Sequence, residues 1–74
     1  MTYELWDTEA RTIVEAFDTE ADALAAIRQT VAAHGRPDAE VYALVSDDAN
    51  GASRTIARGA KLVDRALKVS STAA

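Results

Sequence analysis

The sequence predicts an α+β fold: a two-layer ββαββα sandwich in which a four-stranded, mainly antiparallel sheet carries both helices on one face. Three observations carry this prediction. Phe17 to Pro37, reading FDTEADALAAIRQTVAAHGRP, holds the start and stop signals of a helix. Segments rich in β-branched and aromatic residues flank it in two pairs, each pair joined by a short polar stretch. From Gly59 the apolar spacing returns to that of a helix.

The first helix is the best specified element. Thr19 is a natural N-cap, and Asp22 stands three residues on, where a capping-box acid reaches back to the cap. Glu20 and Asp22 put negative charge on the first turn, where the helix dipole favours it. Leu24, Ile27 and Val31 form one apolar stripe. His34 falls in the last turn, Gly35 at the left-handed closing position, and Pro37 bars continuation.

Before it, Tyr3 to Asp7 and Thr12 to Phe17 read as a hairpin closed by DTEAR. Strand alternation assigns Leu5, Ile13 and Phe17 to the helix side, and Trp6 and Val14 to the opposite face. Glu15 then shares the helix side, which suits only a position near an edge. After the helix, the loop GRPDA leads into Glu40 to Ser46. Its five consecutive apolar residues, Val41 to Val45, predict a strand interior to the sheet. Asn50-Gly51 predicts a type I′ turn, and Ser53 to Arg58 returns as the fourth strand. In the last helix Leu62, Val63, Ala66 and Val69 lie on one side, with Lys61, Asp64, Arg65 and Lys68 on the other. Residues 1–69 form a single domain and SSTAA, 70–74, is expected to fray.

Composition narrows the function classes. A chain of 74 residues buries only about 60–65% of its extended surface. It has no cysteine, so neither a disulfide nor a thiolate metal site reinforces its thin core. Much of the 49% hydrophobic content is alanine, which adds helix propensity with little burial. Self-association is a natural source of the missing stability. The net charge of −4 opposes nonspecific binding to nucleic acid or an anionic membrane. MTYELWDTEAR lacks the regions of a signal peptide, and no apolar run is long enough to span a bilayer; a cytoplasmic protein is expected.

The run LWDTEARTIVEAFDTEADALAAIR resembles a group of short, uncharacterised bacterial proteins with the pattern L-W-D-x-x-S-G-N-x-x-x-x-F-x-T-x-x-E-A-L. The likeness continues through HGR, ALV and ARGAKLV and so covers most of the chain. The chain departs from the pattern at Ala10-Arg11-Thr12, where Ser-Gly-Asn is usual, which implies a less tight turn; Asp22 replaces the usual Glu. The resemblance implies the fold and carries no activity, cofactor or catalytic residue.

No set of residues predicts catalysis, and no cofactor or metal is expected. His34 is the single histidine, placed where positive charge suits a helix C-terminus, with no nucleophile or second ligand at a useful spacing. Asp47, Asp48 and Asn50 precede Gly51 as in a calcium loop, but the twelfth position holds Ala57 instead of a bidentate Glu. The serines lack a base partner and a G-x-S-x-G elbow. Charge is unevenly placed: residues 36–74 hold five acids and six bases, against seven acids and two bases before them. Arg58, Lys61, Arg65 and Lys68 read as a basic stripe on the last helix, interrupted by Asp64, which sits at pairing distance from Lys61 and Lys68.

The expected function is therefore a noncatalytic interaction module that forms a homodimer or docks on another protein through the open sheet face. Two helices cannot cover both sides of the sheet, so Trp6 and Val14 should face water. From the third strand either Tyr42 with Leu44, or Val41 with Ala43 and Val45, joins them; Tyr42 is the aromatic of the two sets, and aromatics are favoured at interfaces. The rival is a nucleic-acid-associated, antitoxin-like regulator using the basic last helix.

Overall fold

The computed structural model describes residues 2–73, with side chains described for residues 2–68. The elements are β1 (Thr2–Asp7), β2 (Thr12–Phe17), α1 (Glu20–His34), α2 (Arg36–Ala39), β3 (Tyr42–Asp47), β4 (Ser53–Arg58) and α3 (Ala60–Ala73). The strands form one antiparallel sheet in the order β2-β1-β3-β4. The two hairpins therefore lie side by side, joined through the central pair β1 and β3. The expected tail, 70–74, falls where no side chains are described, and Ala74 lies outside the described residues; the side chain of Val69 does too.

All helices cover the same face. Leu5 and Leu44 are cross-strand partners at the sheet centre. Leu24, Ile27, Leu62 and Val63 bury themselves with them in a single cluster, to which Ala23, Ala39 and Ala66 also belong. Tyr3, Phe17, Val31, Tyr42, Ile56 and Ala57 pack around it, partly buried. Each fully buried aliphatic side chain contributes roughly 1.5–3 kcal/mol, so this one cluster is the main source of cohesion.

Capping follows the local signals. The Thr19 hydroxyl accepts the Asp22 amide at 3.1 Å, and the Gly35 amide donates to the Val31 carbonyl at 2.8 Å. Gly35 has φ +90° and ψ 166°, a region essentially reserved for glycine, instead of the left-handed helical closure expected. That conformation redirects the chain into α2, with Pro37 in its first turn. The GRPDA segment is thus a helical turn, not a loop, and it delivers Ala39 fully buried into the core.

Both turns differ from simple expectation. The Asp7 carboxylate accepts the amides of Glu9 and Ala10 at 2.9 and 3.0 Å, and its carbonyl accepts that of Arg11 at 2.7 Å. Arg11 closes this turn with φ +58°, a left-handed conformation that glycine adopts without the steric cost a side chain incurs. In the second hairpin Asp48 and Ala52 close a three-residue loop: Asp48 N–H donates to the Ala52 carbonyl at 3.0 Å, and Gly51 N–H to the Asp48 carbonyl at 3.1 Å. Gly51 has φ +82° while Asn50 does not adopt positive φ, so the turn is not type I′.

Two positions with positive φ should respond with opposite signs in urea unfolding. Arg11→Gly relieves a left-handed residue and should stabilise by about 0.5–1 kcal/mol, the glycine's own entropy offsetting part of the gain. Gly35→Ala should destabilise by about 1–3 kcal/mol. Equal midpoints for both variants and the wild type would contradict these backbone assignments.

Candidate functional site

The sheet face opposite the helices is built by cross-strand register. One row reads Ile13, Trp6, Ala43 and Arg58 across β2, β1, β3 and β4. The next reads Ala16, Glu4, Val45 and Thr55, and the last reads Thr2, Asp47 and Ser53. Ala43 is only 7% exposed although no helix lies over it; Trp6 and Arg58 flank it on the neighbouring strands. Ile13 is 47% exposed. Trp6 is half-buried, and its Nε1 is buried with no partner in hydrogen-bonding geometry.

The three residues expected to share this face are separated by the register. Trp6 is on it. Val14 is not, because Leu5 pairs with Glu15 while Trp6 pairs with Ile13, making Val14 the extra residue of a bulge. The bulge exchanges the expected sides of Ile13 and Val14: Ile13 joins Trp6, and Val14 lines a groove against α1. Tyr42 shares the parity of Leu44 and packs on the core, so Ala43 and Val45 accompany Trp6 instead.

Acidic and basic groups occupy opposite ends of the face. At one end the carboxyls of Glu4 and Asp47 meet, and the Ser53 hydroxyl donates to Asp47 Oδ1 at 2.6 Å. The hydrogen bond to Asp47 pushes the Glu4 pKa above its ordinary 4.5, with partial burial and the Asp47 charge adding to it. The nearby Trp6 N–H pulls the other way, favouring the ionised Glu4. At the other end stands the exposed Arg58.

The basic stripe expected on the last helix is dispersed. Arg58 ends β4 and belongs by register to the open face, so it precedes α3. Arg65 donates from Nε to Glu20 Oε2 at 2.6 Å, tying α3 to α1, and this hydrogen bond raises the guanidinium pKa. Asp64 receives Arg36 Nη2 at 2.9 Å, from α2. Lys61 and Lys68 remain on the exposed side of α3.

The sheet edges are blunted. β2 carries the Val14 bulge and Glu15; β4 carries Arg54 and Arg58, and a second bulge at Ile56, where Leu44 pairs with Ala57 but Val45 with Thr55. Bulges and edge charges are the devices that discourage strand addition. The helix-side groove beside β2, about 270 Å³, is lined by Leu5, Val14, Glu15, Thr30, His34 and Tyr42. It brings Glu15 and His34 to one concavity, which strand and helix periodicity alone do not reveal. Among the described residues no group of three or more His, Cys, Asp or Glu could hold a metal ion. No helix there is long and apolar enough to cross a membrane. No known protein family, no curated protein and no solved structure matches the chain.

The Glu4–Asp47 contact has a defined pH signature. A carboxyl whose folded pKa is raised binds more protons folded than unfolded, so its contribution is fully favourable below the unfolded value and is lost as pH rises through the folded one. Glu4→Gln should therefore raise the urea midpoint of the dilute protein at pH 7, with the gain fading towards pH 4.5. A variant less stable than wild type at pH 7 would contradict the repulsive contact.

Proposed function

We propose that the chain is a noncatalytic interaction module that self-associates through its open sheet face. The observation that carries this reading is Trp6: a large, half-buried aromatic on the face without helices, beside exposed Ile13 and the small Ala43. Aromatic anchors surrounded by polar groups are characteristic of interfaces. The blunted edges favour the face over edge-to-edge growth.

Sedimentation equilibrium at micromolar concentration tests the reading. The wild type should form a dimer, and Trp6→Glu should be a monomer with an unchanged far-UV spectrum. A monomeric wild type, a dimeric Trp6→Glu variant, or one that unfolds instead of dissociating would overturn it.

A further inference from the structure

We infer that the occupant of the open face is a second copy of this chain laid head to tail, its acidic end over the basic end of the first. The inference rests on the sheet-face reading above and adds the orientation.

The face is self-complementary only in that direction. Its charges are polarised along the strands, with Glu4 and Asp47 towards the Thr2 end of β1 and Arg58 level with Trp6 at the other end. A two-fold axis running along the strands would place the acidic end of one copy over that of the next. An axis across the strands instead sets Arg58 of each copy towards Asp47 of the other, twice over. Sheets stacked face to face keep their strands within about 30° of alignment, and either strand direction satisfies this, so charge decides.

The size of the face sets the strength. Four strands of six residues span about 20 Å by 20 Å, roughly 400 Å² of projected area per copy. Over both copies that is roughly 800 Å² of projected area, below the roughly 1,200–2,000 Å² of standard interfaces, so the dimer belongs to the weak class in which a few charges matter.

The test is a charge-reversal cycle read by sedimentation at low salt, with Trp6→Glu alongside. Arg58→Glu and Asp47→Lys should each weaken the dimer at least tenfold. The double variant should recover to within about threefold of wild type, and added salt should shrink the single-variant losses. Far-UV spectra confirm that the exposed Arg58 and half-buried Asp47 sites tolerate the changes. If Trp6→Glu dissociates the dimer but the double variant is no tighter than the singles, the orientation is wrong while the face remains the interface. If Trp6→Glu leaves the dimer intact, or the wild type is monomeric, the face is not the interface and the orientation falls with it.

Discussion

The structure depends on one packing event, the burial of the Leu5–Leu44 cross-strand pair beneath Leu24, Ile27, Leu62 and Val63. A chain of 74 residues without cysteine has material for one such cluster and no covalent reinforcement. Among the described residues, every fully buried side chain sits on the helix side of the sheet. The Arg65–Glu20 and Arg36–Asp64 pairs tie the helices to one another around it, but these contacts are exposed and each is worth little. Because the apolar material is spent on one side, the other face of the sheet is left to water or to another molecule.

The two bulges shape what that face becomes. At Val14 and Ile56 each edge strand carries one more residue than its partner, so consecutive side chains no longer alternate cleanly. On β4 this lets Ile56 and Ala57 both pack towards the helices. On β2 it sends Ile13 to the open face and Val14 to the groove beside α1. The same irregularities protect both edges from strand addition, so the sheet presents its face more readily than its rim. Charge is also polarised along that face, with Glu4 and Asp47 at one end and Arg58 at the other.

Much of the fold was legible in the residues. The Thr19 cap, the stripe of Leu24, Ile27 and Val31, and the apolar side of α3 are local periodic signals, and the structure follows them. The hairpin pairing and the interior position of β3 followed from turn residues and a continuous apolar run. What was not legible depends on nonlocal choices. A bulge leaves no mark in a strand such as TIVEAF, so the exchange of Ile13 with Val14 needed the partner strand. Val41 to Val45 are all apolar, so nothing local decided whether Tyr42 or Ala43 faced the helices; pairing with β1 did. Arg58 ends the fourth strand as the sequence suggests, but the helical spacing of the basic residues beyond it also drew it into a stripe on the last helix, to which it does not belong. Asp64 and Arg65 pair with Arg36 and Glu20, contacts between helices far apart in the chain. The α2 turn was hidden by the very Gly and Pro that usually end a helix, here used to restart one.

The central claim is that one face of the sheet is core and the other is not, and two adjacent residues of β3 test it most directly. Leu44 points into the cluster and is fully buried, while Val45 lies on the open face, half-buried. In urea unfolding of the dilute protein, Leu44→Ala should cost about 2–5 kcal/mol, as for a buried leucine left as a cavity. Val45→Thr places a hydroxyl where water can reach it and should cost less than about 1 kcal/mol. A Val45→Thr loss as large as that of Leu44→Ala would mean that both faces are core, and would contradict the account.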